Sequence, residues 1–322
     1  SFNIMKHTYF SPLDHFGSVS LTGPDAPKFL QGQVTCDLNK VTQSQGQAGA
    51  YCTPKGNVIA NFDLLTHADT LLLHMPLGMV ETVQKAMAKY IVFSKAELLD
   101  SSNDWCRFAV WGDEAKECIK DAFGLAPDRH LSCTQDLGSL VWGTQSAASE
   151  FIAYCRPESK ARVMALLEQR ASLADVDVWE ALQINQGLMY VTSDISDSYV
   201  PQMLNLQATG AIDFKKGCYT GQEIVARMQY LGKLKRHLFI GHINTSEALH
   251  IGQQIDASQR KNVGRITSAA ANGANAYTFT AVINRTEALG GELHLHELDN
   301  TAISLSPLPY EIDPQVFERI KL

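Results

Sequence analysis

Apolar and polar positions first alternate and then space out in a way that divides the chain into recurring blocks. The stretch GSVSLTGPDAPKFLQGQVTCDL (17–38) reads as a strand, a turn at Gly23-Pro24 and a short helix. Pro24 and Asp25 suit the start of that helix. GQAGAYCTPKGNVIANFDLLTHADTLLLHMP (46–76) holds strand-like runs broken at Pro54-Lys55-Gly56 and at His67-Ala68-Asp69, which is hairpin punctuation. In GMVETVQKAMAKYIVF (78–93), Val80, Val83, Met87, Tyr90 and Ile91 fall on one helical face. KAELLDSS (95–102) closes the block as a strand. The order strand, helix, strands, helix, strand predicts an α+β sandwich.

The same order then returns. WCRFAVWG (105–112) predicts a strand, and DEAKECIKDAFG (113–124) a helix ended by Gly124. GSLVWGTQ (138–145) and EFIAYCRP (150–157) predict strands, and ESKARVMALLEQR (158–170) a helix. DVDVWEALQINQG (175–187) is a further helix, ended by Gly187. From Lys233 onward, short alternating runs such as RHLFIGHI, GRITSAA, AYTFTAVI and GGELHLHEL are split by Gly, Asn and Ser. That pattern suits a small antiparallel barrel. The expected domains are 1–102, 103–232 and 233–322, with 175–232 free to pack back on the first.

Composition narrows the function. The chain has 322 residues, 45% hydrophobic and 19% charged, as an ordinary globular protein does. No apolar run reaches the roughly 18 residues of a membrane span, so no membrane role is expected. The first residues lack a basic start followed by an apolar block, so no signal peptide is expected either. A net charge of -7 excludes a global basic surface for nucleic acid. The seven cysteines are odd in number, widely spaced and without a CxxC. This suggests a reducing, cytoplasmic setting and no permanently bound metal. His294 and His296 share a strand face, but two histidines exposed on a barrel strand are the simpler reading.

One segment concentrates chemistry. FKKGCYTGQEIVARM (214–228) places Thr220-Gly221-Gln222-Glu223 ahead of an apolar run, the spacing of a helix capping box. Thr220 would then be the N-cap, Glu223 would reach back to its amide, and Ile224, Met228 and Leu231 would share a face. Cys218 would lie by the positive end of the helix dipole, with Lys215 and Lys216 adding charge. Both effects favour thiolate over thiol. Gly217 and Gly221 would let a ligand approach the backbone. A buried cysteine in an ordinary strand–turn–helix joint fits the local spacing equally well. Between Lys215 and Arg236 there are six fixed positive charges (Lys215, Lys216, Arg227, Lys233, Lys235 and Arg236) against Glu223 alone. That surplus points to an anionic partner, and a phosphate backbone or a polycarboxylate ligand would both serve. Tyr219 and Tyr230, interleaved with it, give slight support to a nucleic-acid backbone.

YVPQMLNLQATGAIDFKKGCYTGQEIVAR resembles the signature of the YgfZ-type folate-binding proteins, K-G-C-[FY]-x-G-Q-E. GPDAPKFLQGQVTCDL, YCTPKGNVIANF, KYIVFSK and LSPLPYEI are similar to other segments of that family, so the resemblance covers nearly the whole chain. More distantly the chain resembles the aminomethyltransferase, or T-protein, of the glycine cleavage system. The resemblance implies a three-domain ring: two ferredoxin-like α/β units and a C-terminal β-barrel around a site for tetrahydrofolate or a one-carbon derivative. It also implies a role in maintaining iron–sulfur enzymes, notably those that thiolate tRNA, and direct but weak tRNA binding through the basic stretch is a further expectation. The family's cysteine corresponds to Cys218, and its motif to Lys216, Gly217, Tyr219, Gly221, Gln222 and Glu223. Its folate-linked aromatic positions correspond to Phe16, where relatives often carry Trp, and to Trp179. Asn185 stands where the transferases have a Glu that pairs with the pterin. Ala60 and Asn61 stand where they carry an Asp pair, with Asp63 two residues on. Without a placed carboxylate, general acid–base help for methylene transfer is missing. The chain is therefore expected to be a folate-dependent accessory protein rather than a classical enzyme. A tetrahydrofolate-dependent one-carbon transferase is the alternative.

Overall fold

The computed structural model describes residues 7–145, 149–298 and 301–317. Chain contacts divide it into two compact units. One comprises residues up to 31, 37–49 and 62–179; the other comprises 32–36, 50–61 and 180 onward. Because β3 (Gln47–Cys52) and β4 (Val58–His67) each begin in one unit and end in the other, no single linker separates the two.

The five-stranded sheet has the order β3-β4-β5-β2-β6, with β2 (Phe16–Thr22), β5 (Thr70–Pro76) and β6 (Glu97–Asp100) completing it. Helix α1 (Ala26–Gln31) begins where Pro24 and Asp25 predict, and Asp25 accepts the Lys95 amide at 2.8 Å. The hairpin between β4 and β5 turns at Ala68, whose φ is +50°. Helix α2 (Val80–Ile91) buries Val80, Val83 and Met87 as expected. Tyr90, at the end of the predicted face, is exposed instead. It lies in the last turn, where the helix runs out into an exposed Val92-Phe93 segment.

The second sheet is six-stranded, in the order β11-β1-β7-β10-β9-β8. Its strands are β1 (Thr8–Pro12), β7 (Cys106–Gly112), β8 (Cys133–Asp136), β9 (Ser139–Gly143), β10 (Glu150–Cys155) and β11 (Ser172–Leu173). Helices α3 (Ala115–Phe123) and α4 (Lys160–Leu167) cover it through Cys118, Ile119, Val163 and Leu167. Gly124, at φ +87°, ends α3 with its amide on the Lys120 carbonyl. The hydrophobic pattern does not reveal strands β1, β8 and β11. β1 is added to this sheet by antiparallel pairing with β7, far along the chain.

A buried polar network lies inside the first unit. Arg107 donates to the carbonyls of Ser102 (3.0 Å) and Trp105 (3.2 Å) and to Ser18 Oγ (2.8 Å). Its guanidinium sits 4.6 Å over the Tyr154 ring. Tyr154 in turn shares a 2.5 Å hydrogen bond with His74 Nδ1. Burial, then the charges of Arg107 and His15, hold His74 neutral well below its usual range. Asp63, also buried, accepts from Trp142 Nε1 at 2.9 Å and from Gln145 Nε2 at 3.0 Å.

In the second unit, helix α5 (Val176–Asn185) ends near the unit's start, and α6 (Gln222–Leu231) precedes the barrel. The barrel is closed and antiparallel, in the order β12-β15-β14-β13-β16-β17. Its strands are β12 (Arg236–Asn244), β13 (Gln254–Ala257), β14 (Gly264–Ala271), β15 (Ala276–Asn284), β16 (Leu293–Leu295) and β17 (Ala302–Ser306), and helix α7 (Arg285–Gly290) follows β15. Phe239, Ile243, Ile266, Phe279 and Ile283 fill the interior. Gly241 is required where Phe279 crosses it, because an added Cβ would fall 2.3 Å from that ring. On the outside, Ile240 and Ala270 pack against Ala181 and Ile184 of α5. The fold is thus mixed α and β, with two sheets of ferredoxin-like character and a C-terminal barrel.

His237 is buried beside Phe239, with ring centroids 4.2 Å apart, and burial pushes its pKa down to about 4. In the unfolded chain a histidine protonates near pH 6.5. Between those values the unfolded state binds more protons than the folded one, so stability falls as pH drops. His74 adds to the loss in the same direction. The expected result is a lower urea midpoint at pH 5 than at pH 7.5, with the drop reduced in His237→Phe. Equal midpoints at the two pH values would contradict the assignment of two buried neutral histidines.

Candidate functional site around Cys218

The segment before α6 has no regular structure of its own and is held by side chains. Thr35, fully buried, donates to the Ala211 carbonyl at 2.6 Å and accepts the Ala50 amide at 2.9 Å. The Asp213 amide donates to the Thr35 carbonyl at 2.8 Å, and the Asp213 carboxylate accepts the Lys215 amide at 2.8 Å. Lys216 then turns inward. Its side chain is buried, and Nζ donates to the carbonyls of Val34 (2.6 Å) and Cys36 (2.8 Å) while lying 5.1 Å over the Tyr219 ring. Tyr219 is buried as well, and its hydroxyl is pushed well above the usual tyrosine range by that burial.

Two exposed residues, Gly217 and Cys218, lie between these anchors. A Cβ on Gly217 would meet nothing within 4 Å, so the space beside Gly217 is open. Gln222 closes the loop from the far side, with Nε2 3.3 Å from the carbonyls of both Lys216 and Gly217. The thiol is therefore presented on a backbone fixed on three sides.

The start of α6 differs from the expected capping box. The N-cap is Gly221 at φ +86°, without a side-chain cap bond, and Thr220 is not the cap. Its backbone amide instead donates to the Gly32 carbonyl at 3.2 Å. The reason is steric. The chain passes so close to the 53–56 turn that a Cβ at Gly221 would fall 2.6 Å from the Thr53 carbonyl oxygen. Only glycine adopts this left-handed conformation at such an approach without strain. Freed from the cap, Glu223 pairs with Arg227 at 2.7 Å. The buried helix position is Val225; Ile224 and Met228 are half-buried and Leu231 is exposed. Ile224 packs on Gly56, where a Cβ would fall 2.7 Å from it.

Burial separates the cysteines. Cys36, Cys52, Cys118, Cys133 and Cys155 are buried, Cys106 is half-buried and Cys218 is exposed. Burial pushes the thiols of Cys52 and Cys133 up to about 12 and those of Cys118 and Cys155 to about 11, which keeps them protonated and inert. Of the basic residues, Lys215, Arg227, Lys233, Lys235 and Arg236 are exposed, whereas the Lys216 ammonium is spent inside the fold. Tyr230 is exposed among them, edge-on to Phe214 at 6.2 Å.

The remaining expected residues lie elsewhere. In the first unit, Phe16 is buried face to face with His74, with centroids 4.6 Å apart and planes 7° apart. Trp179 is buried against Trp111 at 5.3 Å. In the second unit, Asn185 is exposed and accepts from Thr278 Oγ1 at 3.1 Å. Asn61 is buried, donating to the Met189 carbonyl (2.8 Å) and accepting the Val191 amide (2.7 Å), so its amide joins β4 to the segment after α5. His296 Nδ1 pairs with Asp256 at 2.7 Å. Among the described residues no group of three or more His, Cys, Asp or Glu is placed to hold a metal, and no helix is long and apolar enough to cross a membrane.

Sequence reasoning missed two features of the second unit. The first is the Val34 and Cys36 carbonyls, which receive Lys216 from about 180 positions away and carry no local signal. The second is Gln207, whose Oε1 and Nε2 are both buried without a hydrogen-bond partner among the described residues.

This fold belongs to a recognised class. Over 94% of the chain and 86% of the other, it superposes on the glycine cleavage system aminomethyltransferase T from Bartonella henselae, with a TM-score of 0.74 and 14% identity. Residues 5–132 match the GCVT N-terminal domain family. The curated relatives are closer. The tRNA-modifying protein YgfZ of Colwellia psychrerythraea is 41% identical over 73% of this chain and 72% of its own length. That of Pectobacterium carotovorum is 30% identical over 93% of this chain and 91% of its own length. The chain belongs to the YgfZ family.

The geometry predicts opposite outcomes at neighbouring positions. Lys216→Met strands two buried carbonyls and should lower stability by about 2–4 kcal/mol. Cys218→Ser, at an exposed site, should change it by less than about 0.5 kcal/mol. Urea denaturation of both variants tests this. A Lys216→Met protein as stable as the parent would refute the anchoring role.

Proposed function

We propose that this chain acts in tRNA modification, as the names of its YgfZ relatives suggest. In this reading it is a folate-binding accessory protein that supports iron–sulfur enzymes which thiolate tRNA, with Cys218 as its reactive group. One observation carries the proposal: Cys218 is the exposed thiol among seven cysteines, on a loop whose neighbours Lys216 and Tyr219 are buried. Such rigid presentation suits a group that must meet a partner at fixed geometry. The exposed Gly217 beside it would admit a ligand or a protein surface. Free cysteines throughout fit a reducing compartment such as cytoplasm.

The residues fit a reduced folate through their amide edges more than through their rings. Gln207 offers a buried carboxamide with donor and acceptor both unmet, and Asn185 offers an exposed one. A pterin edge presents complementary donors and acceptors. Phe16 and Trp179 already pack against His74 and Trp111, so stacking on a pterin would require those pairs to part. When bound, a reduced folate would supply one-carbon chemistry, and Gln207 and Asn185 would hold its pterin edge.

The T-protein reaction is the weaker alternative. It needs a carboxylate near the reacting nitrogen. Asn61, at the corresponding position, is an amide committed to two backbone groups, and Asp63 is committed to Trp142 and Gln145.

The test pairs a cell assay with a binding assay. In a strain lacking the gene, the parent chain should restore thiolated tRNA and Cys218→Ser should not. Purified parent protein titrated with tetrahydrofolate should bind it and change the alkylation rate of Cys218. Full rescue by Cys218→Ser removes the thiol from the mechanism. Absence of folate binding, with rescue still dependent on Cys218, removes the cofactor alone.

A further inference from the structure

The outer face of the barrel carries a second concentration of fixed charge, independent of the folate reading. Strands β12 and β14 both pair with β15. Arg236 stands opposite Asn284, and Leu238 and Arg265 both stand opposite Val282. Residues paired across strands share a face, and so do residues two apart on one strand. Phe239, Ala281, Ile283 and Ile266 point into the barrel core. Arg236, Val282 and Arg265 therefore point outward, from strands about 10 Å apart on either side of β15.

Tyr199 brings the two arginines to one place. The Arg236 guanidinium lies 5.7 Å from the centroid of its ring. Both arginine charges act on the Tyr199 hydroxyl against the effect of burial. Together with Asp194 and Ser198 these three residues line a cavity of about 290 Å³. Arg265 is tethered through one nitrogen, Nη1, to the Gly252 carbonyl at 3.3 Å. Three other arginines are paired with carboxylates: Arg170 with Asp121, Arg227 with Glu223 and Arg260 with Glu287. Among the described residues neither Arg236 nor Arg265 has such a partner. Against the single Asp194 carboxylate, the two arginines leave the lining of this small cavity with one surplus positive charge, which an anion placed between them would neutralise.

We propose that this cavity binds a phosphate group, gripped by Arg236 and Arg265 and walled by Tyr199. The planar guanidinium fork matches two phosphate oxygens at once, which a lysine point charge does not. The volume lies at the lower end of ligand cavities, enough for a phosphate and a small part of what carries it. The carrier is either a free phosphorylated metabolite or the backbone of a nucleic acid.

Calorimetric titration of the full chain with inorganic pyrophosphate, and separately with tRNA, tests the site in the parent, Arg236→Gln, Arg265→Gln and Arg265→Lys. Each glutamine variant should weaken binding at least tenfold, and Arg265→Lys should fall between. Should Arg236→Gln prove unstable, Arg265→Gln is exposed and keeps the test intact. Pyrophosphate binding that tRNA displaces assigns the site to a nucleic-acid backbone, as does tRNA binding alone if Arg265→Gln weakens it. Pyrophosphate binding that tRNA leaves undisturbed assigns it to a free phosphorylated ligand. The proposal is overturned if the parent binds neither, or if Arg265→Gln binds as tightly as the parent.

Discussion

A buried ammonium cannot remain charged in an apolar interior without oxygens around it, and Lys216 meets that demand with the carbonyls of Val34 and Cys36. The rest of the Cys218 loop follows from this constraint. Drawing Lys216 inward forces the next residues outward, and Tyr219 returns to the interior one residue after the thiol. The carbonyls of Lys216 and Gly217 are then within reach of Gln222. Gly221 completes the path by passing close to Thr53, where any side chain would collide. The motif residues around the cysteine are thus largely architectural, and the exposed thiol is what that architecture displays.

This division of labour explains what local sequence patterns could and could not convey. Strand alternation, helical spacing and the Gly and Pro breaks located most elements, because those signals arise from burial of one face. The barrel was legible for the same reason. The capping box was not, since its spacing is satisfied by Thr220 and Glu223 whether or not the backbone adopts the cap. A contact with the 53–56 turn, more than 160 residues earlier, decided otherwise. Lys216 reads locally as one more surface charge, and only distant carbonyls draw it inside. Strand β1 was overlooked because its partner β7 lies about a hundred residues later.

The polar groups of β4 are held in place by other side chains and by backbone. The Asp63 carboxylate is locked by an indole and an amide, and Asn61 serves as a backbone bridge. Among the sulfurs, burial suppresses ionisation of Cys52, Cys118, Cys133 and Cys155, while Cys218 is exposed.

The second unit is assembled from three separate stretches of chain, and 32–36 and 50–61 lie far ahead of the cysteine segment. A gene fragment beginning near residue 180 would encode the thiol, the helix and the barrel. It would lack the oxygens that hold the lysine and the turn that seats Gly221. Recombination could therefore not transplant this reactive loop between proteins as a cassette. Its inheritance is tied to that of the N-terminal half, so new specificities in such a lineage would have to arise by point substitution within an intact scaffold.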